Sequence, residues 1–221
     1  MVLKWLKHII KGFVVICCIA LIWRVLFAGS EATLDELIPT TALSQVYKDK
    51  GDIEILTNEI ADEISESGYF SAYSFFYSPE TKEVQVTVRY NNSTLDALHD
   101  FDFYLYTVDT SVAPVDTEIA TGESNNTVED GVRLHNGYPM SEILEPVAEY
   151  TQTDEILFYN YEKLVFRGVE VKEGTNIIIS LCAAGDKDDE KAVITAHFAE
   201  QPLEKYELSD DECEALAAFK R

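Results

Sequence analysis

The stretch EVQVTVRY at residues 83–90 alternates apolar and polar side chains without interruption. Successive side chains of an extended strand point to opposite faces, so this pattern predicts a β-strand with one buried face and one face in water. The buried face would carry Val84, Val86, Val88 and Tyr90, and the wet face would carry Glu83, Gln85, Thr87 and Arg89.

Strand patterns continue on both sides of this stretch. Residues 69–77 are rich in aromatic residues, and SPETK at residues 78–82 predicts the turn of a β-hairpin. Because the strands follow one another without the strand–helix alternation that a parallel sheet needs, we expect antiparallel sheets. Further strands are predicted at residues 101–108, 156–166, 169–172, 176–182 and 192–198.

Short helices are predicted before and after the strands. A helix with one apolar face is expected to end at Gly51, because glycine readily adopts the left-handed conformation that stops a helix. Residues 52–67 show a second helical pattern. Near the C-terminus, Ser209 and Glu212 have the spacing of a capping box, which predicts the start of a final helix.

These patterns together predict a mainly β fold. The expected architecture is an antiparallel β-sandwich, loosely immunoglobulin-like, with a few short helices. The alternative is a single sheet covered by the helix at residues 52–67 and the C-terminal helix.

One N-terminal transmembrane helix is expected to precede this fold. Residues 12–29 read GFVVICCIALIWRVLFAG and carry one charge, at Arg24. At about 1.5 Å per residue the stretch would span roughly 27 Å, close to the ~30 Å hydrocarbon core of a bilayer. Arg24 lies near the far end of the stretch, where its long side chain can reach the lipid headgroups.

Charge is distributed unevenly along the 221 residues, which contain 17 Lys and Arg against 40 Asp and Glu, a net charge of −23. Residues 1–30 contain four basic residues and no acid, whereas residues 31–221 contain 13 basic residues and all 40 acids, a net charge of −27. Since basic flanks tend to stay in the cytoplasm, we expect the acidic part to lie outside.

The chain is therefore predicted to have four parts. Residues 1–11 would be a basic cytoplasmic N-terminus, 12–29 a transmembrane signal anchor, 30–51 a helical stalk and 52–221 an extracytoplasmic acidic β-rich domain. The alternative is a secreted protein, because Ala28 and Ser30 supply small residues at the −3 and −1 positions of a signal-peptide cut before Glu31.

The acidic balance argues against nucleic-acid binding, which relies on clustered Lys and Arg. The sequence has no nucleophile motif, no phosphate-binding glycine loop and no metal-ligand spacing of Cys or His, so it indicates no catalytic residue and no cofactor. The expected function is binding, assembly or sensing at a membrane held through residues 12–29, with a protein or cationic partner. The alternative is a cell-surface hydrolase of glycans or peptides whose carboxylates the sequence does not identify.

A weak candidate cation site lies in the densest acidic cluster. Asp186, Asp188 and Glu190 are spaced as at the start of a calcium loop, but Lys191 stands where that loop needs glycine and His197 where it needs glutamate. Adjacent acids carry no further signal, because their eight pairs match the number that chance predicts for 40 acids in residues 31–221.

Two cysteines lie in the part that is expected outside the cytoplasm. Cys182 and Cys213 are a disulfide candidate there, and two buried thiols are the alternative.

Overall fold

The computed structural model describes residues 11–19, 36–57, 70–91, 101–115, 126–129, 132–156, 159–172, 174–197 and 203–220. The chain divides into two compact units, Met1–Thr33 and Leu34–Arg221. In the smaller unit, residues 11–19 are helical. Among the described residues, no helix has both the length and the hydropathy needed to cross a bilayer. The transmembrane helix predicted at residues 12–29 falls largely outside the described residues and stays a prediction.

The described part of the larger unit is mainly β, with antiparallel sheets and three short helices. The first six strands are β1 (Leu56–Thr57), β2 (Phe70–Ser78), β3 (Glu83–Asn91), β4 (Phe101–Asp109), β5 (Asn126–Glu129) and β6 (Val132–His135). The next six are β7 (Tyr138–Pro139), β8 (Gln152–Ile156), β9 (Tyr159–Arg167), β10 (Thr175–Ala183), β11 (Asp186–His197) and β12 (Glu204–Lys205). The helices are α1 (Thr41–Lys50), a 3₁₀ turn (Ala148–Tyr150) and α2 (Asp210–Ala218).

The strands form three sheets. Sheet A has the order β12-β1-β2-β3-β9-β8, sheet B has the order β11-β10-β4, and the small sheet C has the order β5-β6-β7. Every pair of neighbouring strands is antiparallel. The predicted mainly β, antiparallel class is confirmed, and the arrangement is consistent with a β-sandwich.

The main hydrophobic core lies between sheets A and B. Val84, Val86 and Val88 of β3 are buried there, as the alternation predicted, and they share one cluster with Leu105 of β4 and Ile179 of β10. Burying side chains of this size contributes about 1.5–3 kcal/mol each.

The opposite face of β3 departs from the prediction. Glu83, Gln85 and Thr87 are buried, whereas we expected them in water. The cause is a second layer: residues 36–55 and α2 pack over the outer face of sheet A, where Phe76 joins a cluster with Leu43. Alternation shows which residues share a face, but it does not show whether another layer covers that face.

Polar side chains hold the covering segment in place, and we call residues 36–40 the strap. Ile38 lies directly over Gln85: its N–H donates to Gln85 Oε1 at 2.7 Å, and its carbonyl accepts from Gln85 Nε2 at 2.8 Å. The Thr40 hydroxyl donates to the Glu83 carboxylate at 3.0 Å. The buried polar face of β3 therefore substitutes for a neighbouring strand and satisfies the backbone of the strap.

The two α-helices have the predicted ends. α1 stops at Gly51, which has φ of 76°. α2 begins with the capping box, in which the Ser209 hydroxyl accepts from the Glu212 N–H and the Glu212 side chain accepts from the Ser209 N–H. The Glu212 carboxylate also accepts from the strap N–H of Leu37 at 2.8 Å. Residues 36–50, part of the predicted stalk, thus pack on sheet A.

Two local predictions are wrong in the described residues. Residues 52–55 are extended and Leu56–Thr57 form a strand, although a helix was expected from residue 52. Pairing of β1 with β2 and β12 and burial of Ile55 under the helices outweigh the local helical pattern. The rest of that predicted helix, residues 58–67, lies outside the described residues. Residues 169–172, predicted as a strand, follow β9 without strand structure.

Candidate functional site

A cleft of about 620 Å³ opens between sheets A and B, where β4 and β9 come close to the turn between β10 and β11. Its size falls within the ~300–1,000 Å³ range of small-molecule pockets. It is lined by Phe101, Asp102, Phe103, Tyr104, Glu145, Pro146, Thr151, Glu162, Leu164, Gly185 and Lys187.

The turn after β10 closes one side of this cleft. Gly185 has φ of 72°, a left-handed conformation that glycine adopts without strain. In this geometry the Gly185 N–H donates to Asp102 Oδ2 at 2.9 Å, which joins the turn to the start of β4. The Tyr104 hydroxyl lies 3.5 Å from the same carboxylate oxygen. Burial, and then the charge of Asp102, raises the pKa of Tyr104, so its hydroxyl stays protonated.

Glu162 is the carboxylate of the cleft with the most perturbed environment. It is half-buried on β9, and the Tyr90 hydroxyl donates to its Oε1 at 2.6 Å. Burial raises the pKa of Glu162, and the hydrogen bond from Tyr90 opposes that shift. Burial likewise raises the pKa of Tyr90. No Lys or Arg in the described ranges forms an ion pair with Glu162.

Aromatic rings hold Tyr90 in place. The Tyr90 ring packs edge-on against Phe101 with centroids 5.2 Å apart, and it lies 6.0 Å from the Phe103 ring. Phe101 and Phe103 also pack edge-on against each other at 5.5 Å. These contacts fix the direction of the Tyr90 hydroxyl and therefore the position of the Glu162 carboxylate.

The cleft combines apolar surface with an excess of negative charge. Phe101, Phe103 and Leu164 supply apolar wall, while three carboxyl groups face one ammonium group, that of Lys187. Glu145 and Asp102 are exposed and remain hydrated, whereas Glu162 is partly withdrawn from water. Such a site can hold a cation that also presents apolar surface.

A second cleft of about 380 Å³ lies at the other end of β4, near Asp109 and Glu170. Two of its acids, Asp109 and Glu170, already have partners. Ser111 donates to Asp109 and holds the pKa of that carboxyl below its usual range. Lys82 pairs with Glu170 and lowers its pKa in the same way. The pKa values of Asp109 and Glu170 are thus lowered, whereas burial raises the pKa of Glu162.

The three residues of the candidate cation site have separate partners. Asp188 pairs with Arg133, with Nη1 and Oδ1 3.0 Å apart, and Asp186 Oδ1 accepts from the Asp188 N–H at 3.1 Å. Glu190 instead accepts from the hydroxyls of Tyr106 and Ser180, both at 2.9 Å. Within the described part of the chain, no group of three or more His, Cys, Asp or Glu residues could hold a metal ion.

Cys182 and Cys213 are free thiols in this structure. Cys182 is buried in β10 with its Sγ 3.1 Å from the Ser180 hydroxyl, and burial raises its pKa to about 11. A thiol with that pKa is a poor nucleophile at neutral pH. Cys213 is half-buried in α2.

A buried polar network, which the sequence did not reveal, joins sheets B and C. The Tyr106 hydroxyl lies 3.0 Å from His135 Nδ1 and donates to Glu190. Burial lowers the pKa of His135 to about 4, so the imidazole is neutral at pH 7. Tyr106 and His135 are buried, and their hydrogen bonds join the two sheets.

Glu162 could have been found from the sequence. It has the same strand parity as Leu164 and Phe166, both of which are buried in the core. A charged residue among apolar residues on one strand face is a recognised sign of a site or a buried pair.

No protein-family model matches the chain, and neither a curated protein nor a solved structure is similar to it at a significant level.

Proposed function

We propose that this chain is a single-pass, membrane-anchored protein whose acidic β-rich unit lies outside the cytoplasm and acts in binding, assembly or sensing. The observation that carries the proposal is the abrupt change in the chain near residue 30, from an apolar segment of net charge +4 at residues 1–30 to a net charge of −27 over residues 31–221.

The apolar surface of residues 11–19 supports the anchoring role. Phe13, Ile16 and Ile19 are 68%, 64% and 58% exposed. Leaving such side chains in water forgoes about 1.5–3 kcal/mol each, which insertion among lipid tails would recover. Lys11 stands at the start of this helical stretch, as a flank facing the cytoplasm would require.

The binding role rests on the sandwich and its cleft. Two packed sheets, which we regard as loosely immunoglobulin-like, supply a rigid scaffold for loops and clefts at their ends. The large negative charge favours cationic partners, and at physiological salt it acts mainly within about 8 Å of the surface. The protein would therefore distinguish its cationic partners from other molecules at contact distance, in the cleft beside Glu162.

Alkaline extraction of membranes tests the anchoring. We expect the full chain to stay with the membrane pellet after a carbonate wash. The variant Ile16→Asp should move into the wash, because a charge in this stretch costs ~2.5–3.5 kcal/mol on insertion scales. The matched variant Ile16→Leu should stay in the pellet.

Recovery of the wild-type chain in the wash, at its full mass, would contradict the proposal. A soluble product shortened near Ser30 would instead support the secreted alternative, and intact-mass analysis separates the two results.

A second candidate function is hydrolysis of glycans or peptides at the cell surface, and one observation favours it. Glu162 has a raised pKa, as a general acid requires, and it shares the cleft with Asp102 and Glu145. If the cleft is catalytic, Glu162→Gln should reduce turnover of aryl glycosides or fluorogenic peptides by at least 100-fold. Glu214→Gln, which removes an exposed charge of α2, should leave turnover unchanged.

A further inference from the structure

We infer that the cleft beside Glu162 binds a basic side chain, an ammonium or guanidinium group on an apolar stem, that a partner protein presents. The inference rests on the proposed binding role and names the chemistry of the ligand at that site.

Glu162 forms no ion pair with a Lys or Arg of the described ranges. Its carboxylate is half-buried, and the hydrogen bond that the structure gives it comes from a neutral donor, Tyr90, at 2.6 Å. A carboxylate withdrawn from water is stabilised most by a cation that reaches it. Glu83, another acid of sheet A, has such a partner, because its Oε2 lies 3.2 Å from Arg167 Nε.

The cleft around that carboxylate suits a basic side chain both in its size and in the chemistry of its walls. A volume of about 620 Å³ can admit a whole side chain. Phe101, Phe103 and Leu164 line it with apolar surface, which suits the methylene stem of lysine or arginine. Phe101 is half-buried and lines the same cleft, and a cation can contact an aromatic ring of this kind.

The charges and the apolar walls of the cleft disfavour other kinds of ligand. Asp102 and Glu145 line the same cleft, so an anion would be repelled despite the presence of Lys187. A metal ion lacks a set of ligands, because no three His, Cys, Asp or Glu residues in the described part of the chain are arranged so that they could hold one. A neutral apolar group would leave the negative charge of the half-buried Glu162 carboxylate without an opposite charge. A protonated basic side chain satisfies both the charge and the apolar wall.

Titration of the full chain in lipid nanodiscs tests the inference. The probes are N-acetyl-lysine amide, N-acetyl-arginine amide and the uncharged N-acetyl-norleucine amide, and the signal is the methyl resonance of Leu164. We expect both cationic probes to shift this resonance and the norleucine probe to bind at least tenfold more weakly. The methyl resonances of Leu43 in α1, which is buried in the cluster on the outer face of sheet A, should not move.

Three variants locate the effect. Glu162→Gln should weaken binding of the cationic probes at least tenfold, and Asp102→Asn should weaken it less, because Asp102 is exposed and hydrated. Glu214→Gln removes the same charge from α2 and should change the affinity by less than twofold. If Glu162→Gln fails to fold, Tyr90→Phe keeps the carboxylate and should retain the preference for the cationic probes.

Equal binding of the norleucine probe, or an unchanged affinity in Glu162→Gln, would overturn the inference while leaving the cleft as a binding site. Absence of any shift at Leu164 would also overturn it. The anchoring part of the proposed function has its own test in the membrane extraction, so the two failures are distinguishable.

Discussion

Replacing Gln85 with leucine tests whether the strap is held by the polar face of β3. Gln85 is 4% exposed, and its amide both accepts from the Ile38 N–H and donates to the Ile38 carbonyl. Leucine is similar in size but makes neither hydrogen bond. Ile38 is 6% exposed, so both of its backbone groups would lose their partner while covered.

The magnitude follows from these two orphaned groups. A buried polar group without a partner costs about 1–3 kcal/mol, so the pair costs about 2–6 kcal/mol. Burying the leucine side chain returns about 2 kcal/mol. We expect the free energy of unfolding to fall by about 0–4 kcal/mol, with about 2 kcal/mol at the middle of the range, compared with the ~5–15 kcal/mol that stabilises a typical domain.

Hydrogen exchange and denaturant unfolding of the full chain in detergent measure the two consequences. In Gln85→Leu the Ile38 amide should exchange much faster, while the Ile179 amide in the core of sheet B should lose only the protection that the global change removes. The matched control is Gln45→Leu, the same substitution at an exposed site of α1, which should cost less than about 0.5 kcal/mol. Equal stability of the two variants, with the Ile38 amide still protected, would refute the role of the strap.

Three further perturbations have defined outcomes. The pKa of His135 is lowered to about 4 in the fold, so the unfolded chain binds a proton first as the pH falls from ~6.5 towards 4. Stability should drop across that range by up to about 3 kcal/mol, and His135→Gln should show a smaller drop when unfolding is compared at pH 7 and pH 4.5. Ser209→Ala removes the N-cap of α2 and should cost about 1 kcal/mol in denaturant unfolding, with Ser209→Asp recovering most of it. Gly185→Ala forces a side chain into a left-handed turn and should lower the free energy of unfolding by about 1–2 kcal/mol. The resonances of Asp102 should shift in this variant, because the Gly185 N–H donates to Asp102. Unchanged Asp102 resonances would show that the turn is not tied to β4.

The strand patterns predicted the core of the sandwich because burial on one side leaves a period of two in the sequence. Val84, Val86 and Val88 face sheet B for this reason. The same period could not predict that Glu83 and Gln85 are buried, since the layer that covers them comes from residues 36–55 and α2, which are remote in sequence. Long-range packing of this kind leaves no local periodicity.

The cleft was only partly predictable. Glu162 stands out in the sequence once β9 is divided into its two faces, because it shares a face with the apolar residues Leu164 and Phe166. Its nearness to Asp102 and Gly185 depends on how the edge of sheet A meets sheet B, which no spacing in the sequence encodes. The cation-site candidate shows the opposite case: Asp186 and Glu190 are close in sequence, yet β11 gives them different partners.

Labelling of single cysteines in intact cells tests the proposed topology most directly. Glu214→Cys places a thiol on the exposed side of α2, and Lys4→Cys places one in the basic N-terminal segment, each in a background in which Cys17, Cys18, Cys182 and Cys213 are replaced by alanine. We predict that a membrane-impermeant maleimide labels the cysteine at position 214 in intact cells and labels the cysteine at position 4 only after permeabilisation. Labelling of position 4 in intact cells, with position 214 protected until the membrane is opened, would contradict the account.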